Sequence, residues 1–366
     1  MISKDTIFKN IIHNIDRGQK GLNKGLPMGF NRLMEYVPDI QKGTYYLVGG
    51  ETGSGKTAFT DNAFVYNPYD WYKANPGKGA SLKVFYWSLE IDKTVKMTKA
   101  ICRKLYLDYN MVTDVNFVLS RGKNRISDEV YEAVKTCAEY FEEMEDIVTI
   151  IDSNTHPTAI NKFMRDYAQA NGEIKMKTVN NGKKDIEIFD RYIPTNPDEH
   201  VIMVIDHISL MKRERGYNTK ENIDKMSEYL IPLRNNFGYI PAIVQQLNRS
   251  NTSADRFKMD MIEPKLGDFK DSGNTQQDAN VIFALFSPRR HEMENFRGYD
   301  IKKLKDRFRS ISVLKNRDGA SDVRIGLQFV GEVGYFQEIP KLNAFRNDPS
   351  LYQKIANLEP WKVEEN

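Results

Sequence analysis

The feature that most restricts the fold is the run Gly50-Glu51-Thr52-Gly53-Ser54-Gly55-Lys56-Thr57, which fits G-x-x-x-x-G-K-[ST] between an apolar strand over residues 44–48 and a helix over 56–66. Glycine at these positions lets the backbone curl until successive N–H groups point inward, and the helix that follows adds its N-terminal partial positive charge. Such a nest suits the phosphates of a nucleoside triphosphate. Lys56 is placed to bridge the β- and γ-phosphates, and Thr57 to give a hydroxyl to Mg2+. ATP and Mg2+ are therefore the expected cofactors, with all eight residues as ATP-binding candidates.

A strand-loop-helix unit commits the surrounding chain to a compatible rhythm, and one is visible. Apolar runs at 83–89, 147–151 and 201–205 read as strands buried on both faces of a parallel sheet. Helical spacing falls between and after them, at 94–105, 128–143, 158–171 and 220–236. Further strands are expected at 239–245, 281–286, 310–314 and 323–329, with a terminal hairpin through 331–338. The fold class is thus α/β, a doubly wound, mostly parallel sheet that gains antiparallel strands at its C-terminal end.

Five stretches fall outside the rhythm: an arm, three insertions and a tail. Residues 1–24 form an N-terminal arm, with Ile7, Phe8, Ile11, Ile12 and Ile15 at helical spacing over 5–15, then a Gly- and Lys-rich connection over 17–24. The core is expected over 25–340, with surface insertions at about 67–80, 173–200 and 288–309, and a tail over 341–366.

Of the 366 residues, 28% are charged and 40% hydrophobic, which suits a globular core and argues against a membrane protein. The arm has neither a long apolar run nor a cleavage site, so neither a signal peptide nor an anchor is expected. Cys102 and Cys137 are the sole cysteines, too few for a disulfide framework or a four-cysteine zinc site, and a reducing, cytoplasmic setting is expected. A net charge of +3 is silent on nucleic acid; any basic surface has to be local.

The metal needs an acidic partner, and Asp206 closes the apolar run 201–205, as a Walker B aspartate does. Thr57 and Asp206 are the metal candidates. His207 follows where many ATPases carry a catalytic glutamate, so it reads as structural and the water-orienting base must come from elsewhere. Glu90, at the end of the run 83–89, fills that role; a carboxylate there also serves as a helix cap.

With those pieces placed, about residues 25–338 resemble the replicative ring helicases of the DnaB family and the helicase half of phage primase-helicases, within the RecA-like group. Gly25-Leu26-Pro27-Met28-Gly29-Phe30 resembles the family's entry motif, Trp87-Ser88-Leu89-Glu90 the strand ending in the catalytic glutamate, and Asp206-His207-Ile208-Ser209-Leu210 the phage form of Walker B. The resemblance implies a RecA-like fold in which the strand of Glu90 lies beside the P-loop strand. Gln245-Gln246-Leu247-Asn248-Arg249 resembles the third motif, which makes Gln246 the sensor of the γ-phosphate and puts Arg249 at DNA. Asp268-Phe269-Lys270-Asp271-Ser272-Gly273 is similar to the central-channel loop, with Lys270, Asp271, Ser272 and Gly273 as DNA contacts that read charge and shape, not bases; the family more often has Arg-Glu where this chain has Lys270-Asp271. Lys315-Asn316-Arg317-Asp318-Gly319 resembles the segment that reaches a neighbour's nucleotide, with Arg317 as arginine finger and Lys315 as its companion.

What the resemblance implies is an ATP hydrolase that translocates on single-stranded DNA as a homo-oligomeric ring, a hexamer, and unwinds duplex in the 5'-3' direction. It also implies a primase or loader supplied by separate chains, no membrane, and a host cytoplasm if the chain is virus-encoded. Basic residues exceed acidic ones between Arg289 and Arg317, a stretch that reads either as a DNA-facing surface or as a solvated loop. Two other readings of the whole chain stand beside the motor: a RecA- or KaiC-like ATPase, recombinase or loader, that gates DNA binding without processive unwinding, and a scaffold with a dead nucleotide site, which the intact motif set opposes.

Overall fold

A computed structural model describes residues 7–77, 80–180, 182, 184–248, 262–272 and 274–361. In chain order the strands are β1 (Tyr46–Gly50), β2 (Ser81–Ser88), β3 (Val148–Ile151), β4 (Gly172–Asn180), β5 (Asp185–Pro194), β6 (Glu199–Asp206), β7 (Ile240–Gln246), β8 (Val281–Phe286), β9 (Asn295–Phe296), β10 (Tyr299–Asp300), β11 (Phe308–Asn316), β12 (Val323–Val330) and β13 (Tyr335–Glu338). Among the described residues nine of them form one sheet in the order β13-β12-β11-β8-β1-β7-β6-β2-β3. The six from β8 to β3 run parallel. The pairings of β11, β12 and β13 are antiparallel, as expected for the C-terminal end.

Period-two alternation divides the interior into two layers. Tyr46, Val48, Ile202 and Val204 face the helices Lys56–Asp61, Asn67–Ala74, Lys93–Tyr109 and Ala138–Ile147, through Phe59, Tyr69, Leu105 and Met144. Tyr45, Leu47, Met203 and Ile205 face the helices Pro157–Ala170 and Thr219–Phe237, through Ile160, Met164, Met226 and Leu230. Each such side chain taken fully from water contributes roughly 1.5–3 kcal/mol, which is why the parallel strands read as unbroken apolar runs.

The sheet corrects one implication of the family resemblance. β1 lies between β8 and β7, and β7 and β6 separate it from β2, so the strand of Glu90 does not border the P-loop strand. Glu90 reaches the nucleotide end because β1, β7, β6 and β2 are parallel and their carboxyl ends share one rim, where open α/β sheets bind ligands.

The supposed insertion at 67–80 begins as a helix. After Lys56–Asp61 the chain passes through a π turn, Asn62–Tyr66, straight into Asn67–Ala74, with Pro68 and Tyr69 buried. Proline brings no amide to the hydrogen-bond ladder, and here it sits at the start of a new helical stretch just after the wider turn, so it does not stop the chain. The stretch 173–200 holds a hairpin, β4 against β5, most of whose residues are exposed or half-buried. The arm helix runs Ile7–Gln19 and so takes in part of the expected connection. Its Phe8, Ile11, Ile12 and Ile15 are exposed, and Arg17 pairs with Asp198 at 2.7 Å.

The tail also folds. Helices Leu342–Asn347 and Leu351–Asn357 bury Phe345, Leu351 and Ile355 against Phe286, Phe296 and Phe308. Among the described residues no helix is long and apolar enough to cross a membrane.

Candidate nucleotide site

The loop after β1 is shaped by its glycines. Gly53 has φ 75° and Gly55 φ 97°, left-handed values that other residues avoid. At Gly50 a Cβ would lie 2.5 Å from Ser54 Oγ and 3.0 Å from the Leu285 carbonyl, so only glycine lets the strand turn there. The loop closes on itself through Lys56, whose Nζ donates to the Glu51 carbonyl at 2.9 Å. Burial pushes the Lys56 pKa down, while the charges of Asp206, Glu90 and Glu51 pull it back up.

Asp206, at the end of β6, is 1% exposed. Its Oδ1 accepts from Thr57 Oγ1 at 3.1 Å and its Oδ2 from the Tyr86 hydroxyl at 2.9 Å. Thr57, Glu90, Gln246 and His207 line one cleft with Lys56, of about 680 Å³, a size within the range of small-molecule sites. Gln246 Nε2 donates to Thr52 Oγ1 at 2.8 Å, which joins the end of β7 to the P-loop. Glu90 is exposed at the cleft.

His207 lines the cleft beside Lys56 and Thr57. Nδ1 meets Ser209 Oγ at 2.7 Å, whereas Nε2 is buried with no partner among the described residues. Burial, and then the charge of Lys56, bring its pKa down to about 4, so the ring is neutral. The cleft is also lined by Phe329 and Gly331 to Gly334, with Lys99 and Asp114 to Asn116, none of which carried a motif.

These residues fit a magnesium nucleotide. Mg2+ keeps most of its ligands as water and phosphate oxygen and asks the protein for one or two oxygens. Thr57 and Asp206 supply a hydroxyl and a carboxylate already 3.1 Å apart. Among the described residues no group of three or more His, Cys, Asp or Glu side chains could hold a metal ion.

Lys315 and Arg317 do not line this cleft. In register, β11 runs from Ser310 opposite Phe286 to Asn316 opposite Val281, and Val281 pairs with Tyr46 at the start of β1. The pair therefore stands at the rim away from the chain's own P-loop, with Lys315 Nζ on the Gln276 and Gln277 carbonyls and Arg317 Nη2 on that of Gln277. Upstream, several of the basic residues are exposed, and others are engaged within the chain. Arg309 is 2% exposed and bonds the Ser54 carbonyl at 3.2 Å; Arg297 and Arg307 make two-pronged pairs with Glu263 and Glu332. Arg290 packs its guanidinium where a Cβ on Gly53 would be, and His291 meets Glu51 at 3.0 Å, so this stretch braces the P-loop from outside.

The suspected channel loop is described in backbone only over 270–272, inside the 3-10 turn Leu266–Ser272. Arg249 and Gly273 lie outside the described residues. Phe269 is fully buried, and a Cβ on Gly49 of β1 would lie 2.2 Å from its ring. Just past the turn, Thr275 Oγ1 donates to Gln245 Oε1 at 2.8 Å, beside Gln246.

Residues 180–338 match the family model described as DnaB-like helicase C terminal domain, a stretch that holds Asp206, Gln246, Lys315 and Arg317 but not the P-loop. The replicative DNA helicase DnaB of Helicobacter pylori (strain ATCC 700392 / 26695) is 22% identical over 263 residues, 72% of this chain and 43% of that protein, so the chain spans less than half of that relative. A solved structure described as an ATPase domain superposes with TM-score 0.67 at 17% identity, covering 92% of this chain and all of that one. A DnaB-like replicative helicase, solved in a study of its interactions with primase, gives TM-score 0.63 at 17% identity over 92% of this chain and 68% of that one. The DnaB resemblance carried by the motifs is borne out, and with it the RecA-like fold.

Proposed function

We propose that this DnaB-like chain is an ATP-driven motor that assembles head to tail, grips single-stranded DNA and unwinds duplex, with ATP and Mg2+ as cofactors. The observation that carries this reading is the division of labour across the sheet. Lys56, Thr57, Asp206, Glu90 and Gln246 gather at one rim, while Lys315 and Arg317 stand at the other, where a second copy's nucleotide completes their role.

The P-loop amides and Lys56 hold the phosphates, and Thr57 with Asp206 would hold Mg2+, which when bound offsets phosphate charge. Glu90 orients the attacking water, Gln246 reports the phosphate's presence to β7, and the turn 266–272, with Arg249 and Gly273, meets the strand's backbone. The arm helix, with its exposed apolar face, docks on the neighbouring subunit. The boundaries 1–24, 25–340 and 341–366 serve as the working division of the chain, a hexamer as its assembly, 5'-3' as its direction, and the host cytoplasm as its setting if it is virus-encoded. A primase or loader comes from other chains.

The test is unwinding of a labelled forked duplex by purified oligomer, with 5'- and 3'-tailed forks side by side. ATP-dependent strand release on the 5'-tailed fork supports the reading. DNA-stimulated hydrolysis without release on either fork replaces it with a nucleotide-gated DNA binder of the RecA or KaiC kind.

A further inference from the structure

Behind Asp206 lies a chain of buried polar groups that the proposed reaction does not use; Asp61 touches the cleft, whereas Tyr86 and Lys96 do not line it. Tyr86 on β2 donates its hydroxyl to Asp206 Oδ2 at 2.9 Å. Lys96, in the first turn of the helix Lys93–Tyr109, places Nζ 2.7 Å from both Asp61 oxygens and also donates to the Tyr86 hydroxyl. Asp61, four residues after Thr57 and so on the same helical face, belongs to the helix that carries the P-loop lysine. Tyr86, Lys96 and Asp61 are 1%, 3% and 5% exposed.

The directions of these bonds follow from the groups. An ammonium has three N–H donors and no acceptor, and here the three meet the two Asp61 oxygens and the Tyr86 oxygen. The tyrosine oxygen therefore accepts from Lys96, and its one proton goes to Asp206. Asp206 is then held at both oxygens, by Thr57 on one and Tyr86 on the other, and cannot swing its carboxylate.

Fold stability does not account for such a chain. A buried ion pair breaks roughly even against well-packed apolar residues, because each ion loses its water. A cation in the first turn also opposes the helix dipole. Orientation of the metal carboxylate is the return for both.

We propose that Tyr86, Lys96 and Asp61 are positioning residues that fix Asp206 so that Oδ1 faces the magnesium of the bound nucleotide. This rests on the site being a magnesium-nucleotide site. Because Asp61 and Thr57 share a helix, the chain also ties β2 and β6 to the P-loop helix at one point.

The experiment measures equilibrium binding of a fluorescent ATP analogue by the full-length protein, in Mg2+ and in EDTA, with melting of the nucleotide-free protein alongside. In Tyr86→Phe the affinity in EDTA is unchanged and melting shifts by a few degrees at most. The enhancement that Mg2+ confers falls about tenfold, the low end of what outer partners of a metal site contribute. A paired Lys96→Met, Asp61→Leu variant, which removes both ions together, melts cooperatively and loses enhancement in the same sense.

Unchanged enhancement in Tyr86→Phe overturns the proposal, whether or not the paired variant folds. Unchanged enhancement in a folded paired variant overturns the part assigned to Lys96 and Asp61. Wild-type protein that binds no nucleotide in either condition defeats instead the reading of the site itself.

Discussion

Arg309 and Arg317 lie on one strand and its exit, yet the sheet sends them to opposite rims. Arg309, at the start of β11, is buried under the chain's own P-loop on the Ser54 carbonyl. Arg317, just past the end of β11, is exposed beside the Gln277 carbonyl, level with the start of β1. Their surroundings in sequence are both basic, and residue type does not separate them. Register does: an antiparallel strand beside a parallel sheet carries its first residues to the nucleotide end and its last residues away.

If the two rims do different work, the variants separate cleanly. Arg317→Ala is expected to lower steady-state ATP turnover of the assembled protein about a thousandfold, the scale of an arginine supplied in trans, with nucleotide affinity and melting unchanged. Mixing it with Lys56→Ala should restore part of the turnover, since some interfaces then pair an intact P-loop with an intact Arg317. Full turnover in Arg317→Ala alone breaks the comparison.

Arg309→Met should do the reverse. It leaves the Ser54, Asp306 and Phe308 carbonyls short of a donor. A loss of about 1–3 kcal/mol follows, read as a fall of several degrees in melting temperature before any nucleotide is added. A stable Arg309→Met would mean that the P-loop does not lean on β11.

The smallest effect is at the far rim, where His200 opens β6. Burial, and next the charge of Lys42, depress its pKa from 6.5 to about 4. The unfolded chain therefore binds a proton between those values that the folded chain refuses, and stability is complete above about pH 6.5 and declines as pH falls toward 4. From pH 6.5 to 5.5 the loss is on the order of 1 kcal/mol. Melting curves of His200→Gln should flatten over that interval; an equal slope in both proteins assigns the pH response elsewhere.

The nucleotide rim was largely legible. Glycines at Gly50, Gly53 and Gly55 are needed by backbone geometry, and Asp206 ends an apolar run, so both announce themselves locally. What escaped was set by long-range placement. Strand order is not written in any strand, so the resemblance alone put β2 beside β1. Lys96 looks like any solvent-facing lysine near a helix start until Asp61 and Tyr86 are brought around it. Pro68 suggested an insertion because a π turn has no simple residue signature, and the helices after Leu342 needed the Phe286 and Phe308 surface to fold upon. Asp61 alone offered a clue, by its spacing from Thr57.

The notch at Gly49 has a mechanical consequence. The ring of Phe269 fills the volume a side chain would take on the strand feeding the phosphate loop. Whatever pulls the turn 266–272 outward must draw that ring from its seat and leave an empty space against β1. Conversely, any shift of β1 on loading presses on the ring. The two displacements thus share one free energy, and by linkage each must bias the other to the same extent.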